Sequence, residues 1–316
     1  MPTLFIREEE VAELVSIHDA IQVLDRAFRD QSAGQAFTNP RSRLRVPGAM
    51  LHLMAGAIPG YFGYKAYTVA AGKARFYFHL FDSRAGELLA LMEADRLGQI
   101  RTGAATGLAT SLLSRPDAHC LALIGAGWQA QTQLEAIAAV RELDSVLVVS
   151  RSSETRDRFI QNMRERVAAR LIASSGAEDA VRSADIVVTI TSSKTPVLQG
   201  AWLRIGTHIN AAGSNLIVKR EIDEETVLRA DRVAVDSIEQ ARIECGEFLP
   251  LIESGRRHWE DFAELKDVVA GFRGARQSPE EITLFKSLGL ALEDVALGRL
   301  VYERAKARGV GRVIDL

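Results

Sequence analysis

Hydrophobic and polar positions near the amino terminus follow a helical period. Ser16 with Asp19 three positions later is typical of a helix amino-terminal cap. Apolar residues then recur every three or four positions, at Ile17, Ile21, Leu24 and Phe28. Because this spacing places them on one face, the pattern predicts an amphipathic helix over residues 8–33.

Between residues 41 and 82 the pattern changes to short β-like runs separated by glycine and proline. The runs cover residues 49–54, 63–69 and 74–81, and they predict an antiparallel sheet. The next segment, 101–113, is rich in alanine, threonine and small residues, which predicts a closely packed helix ending before Arg115-Pro116. A domain boundary is expected there.

After Pro116, short apolar strands alternate with helical segments. The predicted strands are residues 120–124, 145–149, 186–190, 207–211 and 232–235. This alternation predicts a parallel, doubly wound α/β sheet, in which ligands bind at the carboxyl ends of the strands.

The carboxyl-terminal segment predicts a further amphipathic helix over residues 284–308, with Gly309 as its stop. We expect this helix to return to the first domain. The predicted domains are therefore residues 1–115 with 285–316, and residues 116–284.

Composition narrows the function classes. The 316 residues are 47% hydrophobic and 25% charged, and a net charge of −2 gives no broad basic surface for nucleic acid or an acidic membrane. The cysteines and histidines lack the spacing of a disulfide framework or a metal site, so no metal is expected. No transmembrane or leader pattern is recognised, and the expected location is cytoplasmic.

The strongest chemical signal is the run 121–131, an apolar strand followed by a G-x-G-x-x-A turn and a helix. Gly125 allows a tight turn, Gly127 lets a pyrophosphate approach the backbone, and Ala130 allows close helix packing. The N–H groups and dipole at the start of the helix favour phosphate. The run predicts a dinucleotide site whose contacts are Gly125, Ala126, Gly127, Trp128 and Gln129. Trp128 is unusual at a commonly small position, and it either packs over the cofactor or caps the helix.

The segment after the second predicted strand concerns the choice of cofactor. NAD sites usually carry an acidic residue about 20 residues beyond the glycines. Here the strand is followed by Ser150, Arg151 and Ser152, with no carboxylate before Glu154. Serine and arginine suit a 2′-phosphate, so NADP(H) is favoured over NAD(H). The alternative is that Arg151 is a solvated loop residue.

Small polar residues follow two later strands. Thr191 and Ser192 follow one strand, and Ala212, Gly213 and Ser214 follow the next. They are candidates for the nicotinamide half of the cofactor, although the same residue types also dominate ordinary turns.

The order of motifs resembles the ornithine cyclodeaminase/mu-crystallin family along nearly the whole chain. The matching runs are NPRSR at 39–43, FGYK at 62–65, IRTGAA at 100–105, LIGAG at 123–127, HINAAG at 208–213 and ITLFKSLG at 282–289. The resemblance implies a Rossmann dinucleotide-binding domain inserted into an α+β substrate and dimerisation domain. It also implies a homodimer, a nicotinamide cofactor, and cofactor contacts at Thr102 and Ser287.

The resemblance assigns roles to several basic residues. Arg41 and Lys65 would face the substrate, and Arg101 would contact both the substrate carboxylate and the cofactor. A guanidinium can donate two parallel hydrogen bonds to the two oxygens of a carboxylate. A lysine that lies among other cations has a lowered pKa, which suits it to deliver a proton. Arg43 and Arg45 remain alternatives to Arg41.

One position departs from the family pattern. The cyclodeaminases carry an acid/base aspartate where this chain has Asn215. An amide orients a substrate but does not exchange a proton with it. Lys219 matches a family lysine, whereas Asp236 and Glu239 are either substitutes for the aspartate or residues of a helix amino terminus.

These observations favour an NAD(P)H-dependent reductase of 2-imino acids, either cyclic ketimine carboxylates or imines of 2-oxo acids with ammonia or amines. Arg41 and Arg101 would hold the carboxylate, Lys65 would supply the proton, and Asn215 would orient the nitrogen. The first alternative is ornithine cyclodeaminase, which needs no net cofactor. The second is a crystallin-like protein that binds a small ligand without turnover.

Overall fold

The computed structural model describes residues 2–315. The chain forms two compact units, Met1–Arg101 with Gly289–Leu316, and Thr102–Leu288. The sequence analysis placed the corresponding boundaries after residues 115 and 284.

The first unit begins with a strand and two helices, which are followed by a run of strands. Its elements are β1 (Pro2–Ile6), α1 (Glu8–Leu14), α2 (Ile17–Ser32), β2 (Phe37–Thr38), β3 (Ser42–Val46), β4 (Ala49–Ile58), β5 (Tyr61–Ala70), β6 (Lys73–Asp82), β7 (Leu88–Glu93) and the start of α3 (Asp95–Leu113). The predicted cap is confirmed, because Ser16 Oγ accepts from the Asp19 N–H at 3.1 Å. A break at residues 15–16 divides the predicted helix, since Val15 adopts extended backbone.

The second unit alternates strands and helices. Its elements are β8 (Cys120–Ile124), α4 (Trp128–Ala138), β9 (Ser145–Val149), α5 (Ser153–Met163), β10 (Arg170–Ala173), α6 (Ala177–Ser183), β11 (Ile186–Thr189), β12 (His208–Ala211), α7 (Glu224–Arg229), β13 (Arg232–Val235), α8 (Ile238–Glu244), α9 (Leu249–Glu253), β14 (Ala263–Glu264), α10 (Leu265–Val269) and β15 (Thr283–Lys286).

The chain then returns to the first unit with α11 (Ala291–Arg308) and β16 (Arg312–Asp315). Gly309 ends α11 with a φ of 65°, as predicted. The predicted start of this helix at residue 284 is wrong, because residues 283–286 form β15. That strand pairs in parallel with both β12 and β13, and each of its four residues is buried.

The sheet of the first unit has the order β16-β1-β7-β6-β5-β4-β2, with β3 also paired to β4. Apart from the parallel β1 and β7 pair, its pairings are antiparallel, as predicted. Helix α11 packs on β4, β5 and β6, and we call the sheet face towards α11 the inner face. Phe78 on this face lies so close to Gly298 of α11 that a Cβ at residue 298 would collide with the ring.

The sheet of the second unit is wholly parallel, with the order β10-β9-β8-β11-β12-β15-β13-β14. The chain reverses direction across the sheet at β8, where β9 and β10 lie on one side and β11 and β12 on the other. Such a reversal opens a crevice at the carboxyl ends of the central strands. The turn after β8, residues 125–127, lies at this point.

Candidate active site

Lys65 lies on the inner face of the first sheet and forms a buried ion pair. Its side chain is 3% exposed, and Nζ lies 2.8 Å from each carboxylate oxygen of Asp294. Asp294 belongs to the first turn of α11 and is fully buried. Strand β5 and helix α11 therefore hold the amine in one place.

Arg101 on α3 extends this pair into a cluster. Its Nη1 donates to Glu293 Oε2 at 2.8 Å, and its Nε lies 3.3 Å from Asp294 Oδ1. The turn before α11 approaches the guanidinium closely, because a Cβ at Gly289 would collide with it. A φ of 81° also favours glycine there. Two adjacent acids on one helix thus orient both Lys65 and Arg101.

Arg41, immediately before β3, joins the cluster from a third direction. It is 5% exposed, and its Nη2 donates to the Gly289 carbonyl at 3.0 Å. The two alternatives from the sequence lie within β3, where Arg43 is half-buried and Arg45 is exposed. Arg41 is the most buried of the three arginines, and its positive charge acts on Lys65.

The electrostatics of the cluster lower the affinity of Lys65 for its proton. Burial, followed by the positive charges of Arg101 and Arg41, lowers the pKa of Lys65 to about 8, although Asp294 opposes the change. A lysine with a pKa near neutrality can release and regain a proton under physiological conditions.

The cluster has three cationic side chains and two carboxylates, so its formal charge is +1 when all five groups are ionised. One added carboxylate balances that charge, and the planar guanidinium groups suit its two oxygens. Sequence reasoning missed Glu293 and Asp294. The available signal was a pair of adjacent acids within the apolar run 288–298.

In the second unit, the G-x-G-x-x-A turn adopts the geometry that its sequence requires. Gly125 has a φ of 119°, and a Cβ there would collide with the Ile190 carbonyl. Gly127 is the amino-terminal cap of α4, and a Cβ there would meet no atom within 4 Å. Ala130 is fully buried. The turn thus presents open backbone at the start of an eleven-residue helix, a site that fits a pyrophosphate.

Three predicted residues of this turn differ in exposure. Ala126 is buried, Gln129 is half-buried, and Trp128 is 49% exposed as the first residue of α4. Trp128 therefore does not serve as the cap, since that position belongs to Gly127.

Ser150, Arg151 and Ser152 follow β9, the strand beside β8. Ser152 caps α5, because its Oγ accepts from the Thr155 N–H at 3.1 Å. Arg151 is exposed. These positions lie at the carboxyl end of the strand next to the glycine turn, as a contact to the adenosine ribose requires.

The loops after β11 and β12 are tied together by Glu221. Its carboxylate accepts from the Thr191 N–H and the Gly213 N–H, each at 2.6 Å, and from Thr189 Oγ1 at 3.1 Å. Burial raises the pKa of Glu221, against the effect of Lys286 and these hydrogen bonds. Sequence reasoning missed this residue, which fixes two of the predicted cofactor loops.

The neighbouring predicted residues vary in burial. Ser192 is exposed, and the Ala212 N–H donates to the end of β11 at 2.9 Å. Ser214 is 1% exposed, and its carbonyl accepts from Lys286 Nζ at 2.7 Å. Lys286 also pairs with Glu247 at 3.1 Å. Ser214 is thus anchored through its backbone.

Ser287 follows β15 and is 2% exposed, with its N–H bonded to the end of β12 at 3.1 Å. Asp236 accepts from the Leu288 N–H at 2.6 Å and from the Ser237 N–H at 3.1 Å. Ser237 caps α8, and Glu239 lies in its first turn. These contacts agree with a structural role for Asp236 and Glu239 at a helix amino terminus, the second of the two interpretations from the sequence.

Asn215 lies half-buried in the loop after β12. Lys219 lies four residues farther on, where its carbonyl accepts from Ser214 Oγ at 3.2 Å. Thr102 on α3 accepts from Gln133 Nε2 through its carbonyl at 3.3 Å.

His208 belongs to a buried hydrogen-bonded chain. Its Nδ1 pairs with Thr283 Oγ1 at 2.9 Å, its Nε2 pairs with Asn210 Oδ1 at 3.2 Å, and Asn210 donates to Thr110 at 3.0 Å. Burial, aided by Arg276, lowers the pKa of His208 to about 3.

Across residues 2–315, no three His, Cys, Asp or Glu side chains come together as a metal site. In the same part of the chain, no helix is both long and apolar enough to cross a bilayer.

A model of the ornithine cyclodeaminase/mu-crystallin family matches residues 1–309. The chain is 35% identical, over 324 residues, to Delta(1)-pyrroline-2-carboxylate reductase of Bacillus cereus, and the match covers 99% of both chains.

Solved structures share the whole architecture. The Delta(1)-pyrroline-2-carboxylate reductase of Thermococcus litoralis, in complex with NADH and L-proline, superposes with a TM-score of 0.94 at 31% identity, covering 99% of this chain and 100% of that one. An archaeal alanine dehydrogenase dimer with bound NAD has a TM-score of 0.94 at 34% identity, and all of both chains is covered.

Proposed function

Because the chain belongs to the ornithine cyclodeaminase/mu-crystallin family, we propose that it is an NAD(P)H-dependent reductase of 2-imino acids. The observation that carries the proposal is the buried cluster of Arg41, Lys65 and Arg101, whose positive charge exceeds that of Glu293 and Asp294 by one. The carboxylate of a 2-imino acid balances this excess charge, and the C=N bond of the same molecule is directly attached to that carboxylate.

Each member of the cluster has a distinct part in this reaction. Arg41 and Arg101 bind the substrate carboxylate and fix its orientation. Lys65 transfers a proton from Nζ to the imine nitrogen, and a protonated imine is a much better hydride acceptor than a neutral one. Asp294 holds Nζ in position throughout. In this proposal the amide of Asn215 orients the imine nitrogen by hydrogen bonding.

The second unit is assigned to the dinucleotide. When bound, a nicotinamide dinucleotide would supply the hydride that the imine carbon accepts. The residues that would hold it are Thr102, Gly125, Ala126, Gly127, Trp128, Gln129, Thr191, Ser192, Ala212, Gly213, Ser214 and Ser287. The open backbone at Gly127 and the start of α4 suit the pyrophosphate, and Glu221 keeps two of the loops in register.

NADP(H) is the preferred form of the cofactor in this proposal. The supporting observation is the Ser150, Arg151 and Ser152 segment at the end of β9, where an exposed guanidinium and two hydroxyl groups suit a 2′-phosphate.

A homodimer completes the proposal, with the outer face of the first sheet as its interface. This face, opposite α11, carries exposed apolar side chains on four successive strands, namely Leu44, Val46, Leu53, Phe62 and Tyr77. Such a surface on a globular unit is typical of a protein interface. The archaeal alanine dehydrogenase, which is similar over its whole length, is a dimer.

The test follows the absorbance of NADPH and NADH separately, with cyclic ketimine carboxylates and with mixtures of 2-oxo acids and amines. Net oxidation well above the uncatalysed rate supports the reductase. Ammonia release from ornithine with catalytic NAD⁺ and no net cofactor change would instead indicate a cyclodeaminase. Ligand binding without either reaction would indicate a binding protein.

A further inference from the structure

A second basic region lies beside the cluster of Arg41, Lys65 and Arg101, on the inner face of the first sheet. In the strand register, Met54 is opposite Lys65, and the next row along the strands pairs Arg43 with His52 and His52 with Tyr67. Rows on one face are about 7 Å apart, twice the rise per residue. The Lys65 row and the His52 row thus have the separation that a four- or five-carbon dicarboxylic acid spans.

His52 is built into this row as a fixed, buried polar group. It is 6% exposed, and its ring stacks on Tyr67 with centroids 4.0 Å apart and planes 8° from parallel. Its Nδ1 is buried without a hydrogen-bond partner among residues 2–315. A buried ring nitrogen in this state is costly unless a ligand pairs with it.

Three positive charges act on His52. Arg43 and Arg45 are two residues apart in β3, so both lie on the inner face with His52. Arg41 lies just before the strand. Burial and then the charges of Arg43, Arg41 and Arg45 lower the pKa of His52 to about 4. An anion placed among these groups would pair with the guanidinium groups and allow the imidazole to donate a hydrogen bond.

We propose that His52, Arg43 and Arg45 form a second anion site, and that the substrate is a 2-imino acid whose side chain carries a carboxylate. The first carboxylate is bound by Arg41 and Arg101, as in the proposed function on which this inference rests. The second lies one row farther along the sheet, against His52. Hydride and proton transfer at the C=N bond are the same for both substrate classes, so the site selects the substrate and leaves the reaction unchanged.

The experiment compares imines formed in place from ammonia and 2-oxo acids of matched length. Oxaloacetate and 2-oxoglutarate are the dicarboxylic acids, and 2-oxobutyrate and 2-oxopentanoate are the monocarboxylic ones. We expect kcat/KM to favour the dicarboxylic imines by at least about tenfold, the value of one charged hydrogen bond. Arg43→Met should reduce that ratio by about 10- to 100-fold. His52→Phe keeps a ring to stack on Tyr67 and should also reduce the ratio.

Arg84→Met is the matched control, because Arg84 is an exposed turn residue of the same unit, and it should leave the ratio unchanged. Reduction of monocarboxylic imines alone, or an unchanged ratio in Arg43→Met, overturns the second anion site and keeps the reductase. If no imine is reduced, the proposed function fails. Calorimetric titration of succinate against butyrate, with oxidised cofactor present, then decides the site: tighter succinate binding that Arg43→Met abolishes supports it, and equal binding overturns it.

Discussion

Lys65 Nζ lies 2.8 Å from both carboxylate oxygens of Asp294, and both side chains are buried. Two opposing effects act on the amine. Burial and the nearby arginines favour its neutral form, whereas Asp294 favours its charged form. The pair therefore sets the pH range in which Lys65 has a proton to donate.

The Asp294→Asn variant tests this balance. In the wild type, kcat/KM should fall as the pH rises through about 8, because Lys65 loses its proton there. Removing the carboxylate removes a cause that raises the pKa of Lys65, so the inflection should move to lower pH. Glu303→Gln, an exposed change on the same helix, should leave the profile in place. An unmoved inflection in Asp294→Asn would show that Lys65 is not the titrating group.

Lys65→Met tests the proton donor itself. Loss of a positioned general acid should reduce turnover by about 100- to 10,000-fold. Cofactor affinity, measured by quenching of protein fluorescence, should stay within a factor of two, since Lys65 is not among the residues assigned to the dinucleotide. Lys73→Met on β6 removes an exposed lysine from the same sheet and should retain full turnover. Unchanged turnover in Lys65→Met would refute its catalytic assignment.

Gly127→Ala tests the pyrophosphate site. The added Cβ meets no atom within 4 Å, so the free energy of unfolding of the cofactor-free protein should change by less than about 1 kcal/mol. The same Cβ would occupy space that the phosphates need, and the dinucleotide Kd should rise at least about tenfold. If the free energy of unfolding falls by as much as the binding free energy of the dinucleotide, the variant has a folding defect. An unchanged Kd would place the phosphates elsewhere.

Arg151→Ala tests the preference for NADP(H). Loss of one exposed charged hydrogen bond should raise the Kd of NADPH about tenfold and leave that of NADH within a factor of two. Arg158→Ala, an exposed change on α5, is the control. Equal Kd values for NADPH in the wild type and Arg151→Ala would support the solvated-loop interpretation of Arg151.

Much of the second unit could be predicted from sequence because buried parallel strands have continuous apolar runs. The predicted bounds of β8, β9 and β13 agree with the structure. Strand β15 was missed for a tertiary reason. Its sequence ends in Lys286, which is buried only because Glu247 and the Ser214 carbonyl receive its amine, and no local pattern shows those partners.

The candidate site was predictable only in part. Arg41, Lys65 and Arg101 were identified through family motifs, and the structure brings them together. Glu293 and Asp294 were not identified, since acids in the first turn of a helix are common for reasons of capping and dipole alone. Their contact with cations on β5 and α3 depends on packing across about 190 to 230 residues of chain.

Leu53→Asp tests the proposed dimer interface. Leu53 lies in the middle of β4 on the outer face and is 42% exposed. Burying an unpaired carboxylate on each side of an apolar interface should weaken the dimer at least about 100-fold. Light scattering should give about twice the 34.6 kDa chain mass for the wild type and a single chain mass for the variant. Ile205→Asp, in the second unit and 73% exposed, should stay dimeric. A dimeric Leu53→Asp protein would place the interface on another surface.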